Sequence, residues 1–125
     1  MNVVDSSCWL EWFAGQPHAR AFREAIFDTA ELLVPTIVLV EVHRRMLQQR
    51  GEQAALDASA FMKSGIVVVL DADLAVAAAL VGQRQRLPLA DSIIMATAEA
   101  YGATLWTMDA HFQKLPNVRY FKRPA

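Results

Sequence analysis

Short apolar segments alternate with longer segments of helical periodicity along the 125 residues of the chain. Residues 66–70 (IVVVL) predict a strand buried on both faces of a parallel sheet, because they are continuously apolar and mostly β-branched. Further strands are predicted at residues 3–4, 31–34 and 103–106, with a short edge strand at 117–121. Strands separated by helices predict an α/β fold, in which a mainly parallel central sheet of four to five strands carries helices on both faces.

Helical spacing of apolar positions recurs in six segments, which are separated by helix-breaking residues. Thr36 is expected to cap the third helix and Gly51 to end it. Pro88 precedes the sixth helix, and Gly102 ends it. The predicted helices cover residues 6–13, 18–28, 36–50, 52–63, 71–86 and 90–101.

Three acidic residues stand at the ends of these predicted elements. Asp5 follows the first strand, Asp109 lies just beyond the strand at 103–106, and Asp91 is in the first turn of the sixth helix. Ligands of open parallel sheets bind at the carboxyl ends of the strands, so we expect these side chains at one rim. Each also has an ordinary structural explanation: Asp5 as an N-cap, Asp91 beside the helix dipole, and Asp109 in a turn.

Glu41 has the most unusual predicted surroundings. Apolar residues 37–40 and Val42 flank it, so the first half of the third helix is apolar on every side and is predicted to be buried. A buried carboxylate without a partner is costly, and its presence therefore favours a functional role. The alternative is an ion pair with Arg45 one turn later, which suits an exposed helix better.

If Glu41 lies at the same rim as Asp5, Asp91 and Asp109, four negative charges meet there. A hard divalent cation with oxygen ligands, Mg²⁺ or Mn²⁺, resolves the resulting repulsion. Zinc is not expected, because the chain has no Cys/His spacing typical of a zinc site. Cys8 is assigned to the core. The three histidines, His18, His43 and His111, are assigned to the surface or to packing contacts.

Composition narrows the remaining choices. Hydrophobic residues make up 54% of the chain, which favours some apolar surface for a partner. The net charge of −1 gives no global positive field that would indicate nucleic-acid binding. A single cysteine excludes an intramolecular disulfide and favours a reducing compartment. The absence of a long apolar run and of a signal sequence predicts a cytoplasmic protein, and the length predicts one domain over residues 1–125.

Four sequence motifs together resemble those of PIN-domain nucleases. They are DSS at 5–7, VPTIVLVE at 34–41, LADSIIMATA at 89–98 and LWTMDAHF at 105–112. Their order and spacing span nearly the whole chain, and within this superfamily the short chain resembles the VapC toxins of VapBC toxin–antitoxin pairs. The resemblance implies a PIN-like fold, endoribonuclease activity, a Mg²⁺ or Mn²⁺ site, and inhibition by a VapB-like antitoxin.

The same resemblance assigns roles to individual residues. The first three family acids match Asp5, Glu41 and Asp91, and the more variable fourth acid matches Asp109. Two small hydroxyl residues that support the acids match Ser6 and Thr107. A homodimer is also implied, and we expect its partner surface on the early helix, whose aromatic residues alternatively belong to the core: Trp9, Trp12 and Phe13.

Cleavage of RNA needs positive charge close to the acids. Arginines of the third helix and of the segment before Pro88 are the candidates, although each is alternatively a solvated helix charge. These candidates are Arg44, Arg45, Arg50, Arg84 and Arg86.

Two other classes of protein are alternatives. Asp71 and Asp73 follow an apolar strand, as in phosphatases related to haloacid dehalogenases, but helix capping explains them better. A non-catalytic PIN-like binding module is the other alternative, and an intact set of four mutually repelling acids argues against it. An RNA cleavage assay with metal titration distinguishes these classes.

Overall fold

A five-stranded sheet, in which every neighbouring pair of strands is parallel, forms the centre of the computed structural model, which describes residues 1–124. The strand order is β3-β2-β1-β4-β5, so that β1 is central. The strands are β1 (Asn2–Val4), β2 (Leu32–Pro35), β3 (Ile66–Val68), β4 (Thr104–Thr107) and β5 (Val118–Tyr120). The predicted α/β class and parallel sheet are confirmed.

The chain changes direction across the sheet between β1 and β4. From β1 it proceeds through β2 to β3 at one edge, and it then returns to β4 on the other side of β1. Val4 of β1 pairs with Trp106 of β4, so the two strands end side by side. The carboxyl ends of β1 and β4 therefore flank a topological switch point, which is the usual ligand-binding position of an open α/β sheet.

Six α-helices connect these strands. The right-handed crossover rule predicts α1 to α4 on one face of the sheet and α5 and α6 on the other. In the structure α3 packs against α1 and α4, α5 packs against α6, and α6 contacts both β1 and β4. None of the helices within residues 1–124 is long and apolar enough to span a membrane. The helices are α1 (Ser6–Phe13), α2 (Arg23–Phe27), α3 (Thr36–Arg50), α4 (Glu52–Met62), α5 (Ala72–Gln85) and α6 (Leu89–Ala100).

The second predicted helix is only partly α-helical. Residues Pro17–Phe22 form a 3₁₀ helix, and the α-helix begins only at Arg23. Ala19 and Phe22 are both buried, and their three-residue spacing matches the three residues per turn of a 3₁₀ helix. The core contacts of this segment therefore favour the tighter helix over the predicted continuous one.

The prediction that residues 66–70 form a strand buried on both faces is wrong. Only residues 66–68 belong to β3, where Ile66 and Val67 are 40% and 38% exposed and Val68 is buried. The reason is the position of β3 at the sheet edge, where it pairs with β2 alone. Leu70 lies beyond the strand, and its N–H donates a hydrogen bond to Thr36 Oγ1 at 3.3 Å.

The prediction that Thr36 caps the third helix is wrong, because Thr36 is itself the first residue of α3.

The prediction that the first half of α3 is buried on every side is also wrong. Val38, Val42 and Met46 form one buried stripe at helical spacing, whereas Val40 is 58% exposed and Leu47 is also exposed. The exposed side faces α4 across a surface cleft. α3 therefore has a sheet side and an open side, and Glu41 lies between the two, only partly buried.

The aromatic residues of α1 belong mainly to the core. Trp9 is fully buried, and its ring stacks on Phe13 with centroids 5.7 Å apart. Trp12 meets Phe27 of α2 edge to face at 5.6 Å, and both Trp9 and Phe13 contact Phe61 of α4. These contacts tie α1 to α2 and α4, which favours the core interpretation over an open partner surface.

Candidate active site

Asp5 occupies the centre of the carboxyl edge of the sheet. It follows β1 directly and is buried, and its Oδ1 accepts a hydrogen bond from Ser6 N–H at 2.7 Å, which caps α1. An N-cap is the ordinary structural role of such a residue. The contacts of its second carboxylate oxygen go beyond that role.

Two hydroxyl groups hold the Oδ2 atom of Asp5. Thr107 Oγ1 donates to it at 2.8 Å and Ser7 Oγ at 2.9 Å. Each hydroxyl in turn accepts a backbone N–H: Asp109 N–H donates to Thr107 Oγ1 at 2.9 Å, and Met108 N–H donates to Ser7 Oγ at 3.1 Å. Asp5 is therefore rigidly joined to the end of β4.

Sequence reasoning anticipated part of this network. Thr107 was expected to support the acids, and Ser6 donates to Asp5 through its backbone, with its Oγ only 3.3 Å away. The contact of Ser7 with Asp5 was not predicted. The signal was present, because a hydroxyl two residues after an N-capping Asp is placed to reach back to the carboxylate.

The four predicted acids line one pocket of about 560 Å³ at this edge. Glu41 reaches it from the second turn of α3, and Asp91 from the first turn of α6. Asp109 enters from the loop after β4 and caps the short 3₁₀ helix Ala110–Phe112. The sheet order thus brings together residues that are far apart in the chain.

Burial and the charges of neighbouring acids raise the pKa values of Asp5, Glu41 and Asp91. Burial raises the pKa of Asp5, against the opposing effect of its hydrogen bonds from Thr107 and Ser7. Burial, with the nearby charge of Asp5, raises the pKa of Glu41 to about 6. Burial, with the charge of Asp109, raises the pKa of Asp91 to about 6. Burial and repulsion therefore oppose the ionisation of these three acids in the absence of a cation.

His111 contacts two of the acids, which sequence reasoning missed. Its Nδ1 lies 2.9 Å from Asp91 Oδ2 and 3.1 Å from Asp109 Oδ1. The hydrogen bond to Asp91 and the charge of Asp109 raise the pKa of this imidazole. His111 is exposed as predicted, but it lies at the acids rather than at an unrelated surface. Its position two residues after Asp109 was the signal that could have revealed it.

The predicted RNA-binding arginines do not line the acid pocket. Arg44 lines the cleft between α3 and α4, and Arg50 donates to the carbonyl oxygen of Phe13 at 3.1 Å. The remaining candidates, Arg45, Arg84 and Arg86, are exposed. Lys122 and Arg123 of the C-terminal segment do line the pocket. The sequence signal for them was a small basic tail with no visible connection to the acids.

The residues present fit a hard divalent cation. Carboxylate oxygens dominate the pocket, and Glu41 Oε1 is buried without a hydrogen-bond partner. Ligand atoms of Asp91, Asp109 and His111 lie within 4.8 Å of one another. Such a donor set suits Mg²⁺ or Mn²⁺. Cys8 cannot contribute, because it is buried in the core and burial raises the pKa of its thiol.

The structure is therefore that of an α/β protein with an acidic pocket at the switch point of a parallel sheet. The PIN domain family model matches residues 3–118, and the chain therefore belongs to the PIN domain family. The resemblance inferred from the four sequence motifs is thereby confirmed at the level of the family. Among curated protein sequences, none matches the chain at a significant level.

Solved structures of toxin–antitoxin proteins share the fold. A toxin–antitoxin complex from Klebsiella pneumoniae superposes with a TM-score of 0.81 at 23% identity, covering 95% of this chain and 96% of that chain. VapBC2 from Rickettsia felis, bound to promoter DNA, gives 0.76 at 15% identity, covering 97% and 98%. Mycobacterium tuberculosis VapC20, a Sarcin-Ricin loop cleaving toxin, gives 0.75 at 20% identity, covering 93% and 95%.

Proposed function

We propose that this PIN domain, spanning residues 1–125, is a Mg²⁺- or Mn²⁺-dependent endoribonuclease that acts as the toxin of a toxin–antitoxin pair. The observation that carries the proposal is the meeting of four acids in one pocket at the switch point of the sheet. Family membership supports nuclease chemistry. One structural neighbour, VapC20, is a Sarcin-Ricin loop cleaving toxin, which favours RNA as substrate.

Asp5, Glu41, Asp91 and Asp109 would hold the cation. A bound divalent ion supplies a water of lowered pKa and neutralises charge on the scissile phosphate. Asp5 is presented in one fixed orientation, because Ser7 and Thr107 bind its Oδ2. Fixed donors lower the cost of reorganisation when the ion binds.

The basic C-terminal segment supplies positive charge where the RNA substrate would bind in the pocket. Lys122 and Arg123 line the same pocket as the acids, so an RNA phosphate drawn there meets both the cation and these side chains. We keep Arg44, Arg45, Arg84 and Arg86 as candidates for contacts with RNA that flanks the cleaved bond.

Substitutions that replace each carboxylate with the corresponding neutral amide test this function. Asp5→Asn, Glu41→Gln and Asp91→Asn should each lower Mg²⁺- or Mn²⁺-dependent RNA cleavage at least about a hundredfold, because each removes a cation ligand. Asp109→Asn should cost less, since the fourth acid is the variable one. Cleavage rates of a labelled RNA, at matched metal concentration, measure the effect.

Asp73→Asn is the matched control. Asp73 also lies in the first turn of a helix, but it is outside the acid pocket. This variant should cleave RNA like wild type. Wild-type cleavage by Asp91→Asn contradicts the proposal, and metal-independent RNA binding without cleavage by the unmodified protein favours the alternative of a non-catalytic PIN-like module.

A phosphatase function receives no support from the site. Asp71 Oδ1 accepts a hydrogen bond from Leu74 N–H at 2.8 Å and thereby caps α5, as the capping explanation predicted. Asp71 and Asp73 line a separate pocket at the β3 edge rather than the acid pocket.

We further propose that the chain forms a homodimer and binds a VapB-like antitoxin. Three structural neighbours are toxin–antitoxin or VapBC complexes, which supports an antitoxin partner. This chain presents two apolar surfaces to such partners. One is the α3–α4 cleft, whose exposed apolar residues are Val40, Leu47 and Leu56. The other is the α5 face, formed by Val76 and Leu80.

The α3–α4 cleft suits the antitoxin. It is lined by Leu39 and Val40, which directly precede Glu41 of the acid pocket, so a peptide in the cleft can extend a basic side chain to the acids. The α5 face has no comparable route to the pocket, and we assign it to the second copy of the chain.

A further inference from the structure

One side chain in contact with the acids, His111, can bind a metal ion through nitrogen. His111 offers a nitrogen ligand, whereas the four acids offer only oxygen. Its placement is fixed from both sides: its backbone N–H donates to Asp109 Oδ1 at 2.9 Å, and the adjacent Phe112 is fully buried. The short 3₁₀ helix Ala110–Phe112 therefore carries His111 as a fixed part of the site, although its side chain is 59% exposed.

The distances from His111 match those between neighbouring ligands of one ion. Two ligands about 2.1 Å from an octahedral ion and at right angles to each other are about 3.0 Å apart. The imidazole Nδ1 lies 2.9 Å from Asp91 Oδ2 and 3.1 Å from Asp109 Oδ1. A cation can thus bind all three groups with only small side-chain movements.

We propose that His111 is a direct ligand of the catalytic cation and sets its preference for Mn²⁺ over Mg²⁺. Mg²⁺ is a hard ion that takes oxygen ligands and gains little from imidazole. First-row transition ions gain more from a nitrogen ligand, in the order Mn²⁺, Fe²⁺, Co²⁺, Ni²⁺. The inference rests on the proposed metal-dependent function, and it identifies a ligand beyond the four acids.

The competing interpretation is that His111 only orients the carboxylates. In this structure its Nδ1–H is placed to donate to Asp91 and Asp109. A side chain that merely donates this hydrogen bond is replaceable by an amide. His111→Asn keeps a side-chain N–H donor and removes the imidazole, so it separates the two roles. His111→Ala removes both.

The test is pulsed electron paramagnetic resonance of bound Mn²⁺, combined with calorimetric affinities for Mn²⁺ and Mg²⁺. Wild type should show nitrogen modulation from a directly bound imidazole. Both His111 variants should lose that modulation and bind Mn²⁺ about tenfold more weakly or worse, because even partners outside the ligand shell cost about 10- to 100-fold. Mg²⁺ affinity should stay near the wild-type value in His111→Asn.

His18→Asn is the matched control, because His18 pairs with Glu11 rather than with one of the four acids. It should keep the nitrogen modulation. Bound Mn²⁺ without nitrogen modulation in wild type overturns the inference, as does an equal loss of Mn²⁺ and Mg²⁺ affinity in His111→Asn.

The outcome for the nuclease function is read separately. Nitrogen-coordinated Mn²⁺ in a protein that cleaves no RNA leaves the inference standing and contradicts the nuclease. RNA cleavage that Mn²⁺ supports without nitrogen coordination contradicts the inference about His111 and leaves the nuclease function standing. Failure of wild type to bind Mn²⁺ contradicts both.

Discussion

Glu41 and Asp91 of the acid pocket carry pKa values raised to about 6, mainly by burial, which gives the protein without metal a defined response to pH. A carboxyl group whose pKa is higher in the folded state stabilises the fold when protonated. That stability is lost as pH rises through the folded pKa. The pKa of His111 is also raised, so its contribution is likewise lost at higher pH.

Without metal, the protein should therefore lose stability as pH rises from about 4, near the unfolded pKa of these carboxyl groups, to about 7, just above their folded pKa. We expect the melting temperature in chelator to fall by about 2–5 °C over this range. Saturating Mg²⁺ or Mn²⁺ should remove most of the fall, because the cation binds the ionised acids of the folded state only. Thermal melts measure both effects. Asp91→Asn should flatten the dependence in chelator, and an unchanged slope in that variant contradicts the assignment.

The sequence predicts the acids of the site better than it predicts their neighbours. Asp5, Asp91 and Asp109 are recognisable because strand ends and helix starts follow from local patterns. The roles of Ser7 and His111 depend on side-chain direction and on contacts across the pocket. The spacing of Ser7 from Asp5 and of His111 from Asp109 is a local signal for two of these contacts. The contacts with Met108 and Asp91 join segments that are far apart in the chain, and they become visible only in the folded protein.

The packing of α5 against α6 determines where Asp91 lies. A Cβ atom added to Gly82 of α5 overlaps the Ser92 side chain of α6, and Ser92 is adjacent to Asp91. Ser92 Oγ donates to the carbonyl oxygens of Leu87 and Pro88, at 3.2 and 2.9 Å, and so holds the start of α6. Gly82 thus permits a close approach of the two helices.

Gly82→Ala should therefore destabilise the fold, although glycine to alanine usually stabilises a helix interior. We expect a loss of about 1–3 kcal/mol in the free energy of unfolding, since the added methyl group forces the helices apart. Urea unfolding measures it, with the exposed Gln83→Ala on the same helix as control. RNA cleavage should fall as well, because the start of α6 moves. A Gly82→Ala variant more stable than wild type rules out this explanation.

Elements with strong local signals were predicted well, and elements determined by their neighbours were not. The bounds of α1 match the prediction to the residue, and α3 ends at Arg50 as predicted but begins at Thr36, one residue before the predicted first turn. The exposure of β3 and the open side of α3 depend instead on what packs beside them. An apolar run is the same in a central strand and in an edge strand, so burial of residues 66–70 could not be read from the run alone.

At the scale of the molecule, the sheet order creates the site. β1 and β4 are adjacent and parallel, and they end where the chain changes direction across the sheet. That geometry places Asp5 beside Thr107 and Asp109, while α3 and α6 supply Glu41 and Asp91. The motifs implied this arrangement by resemblance, whereas the strand order itself was not part of the prediction.

The two exposed apolar surfaces make the proposed assembly testable. A charge at the α5 face, Leu80→Glu, should shift the protein from dimer to monomer at micromolar concentration, since Leu80 is 50% exposed and would be buried against a second copy. A charge in the α3–α4 cleft, Leu56→Glu, should leave the dimer intact and weaken binding of a co-expressed antitoxin at least about tenfold. Light scattering and calorimetry measure the two effects, and each variant is the control for the other. Wild type that stays monomeric with and without antitoxin contradicts the assembly. Exchanged effects of the two variants contradict the assignment of the surfaces, because the cleft next to Glu41 would then hold the second copy instead of the peptide that reaches the acids.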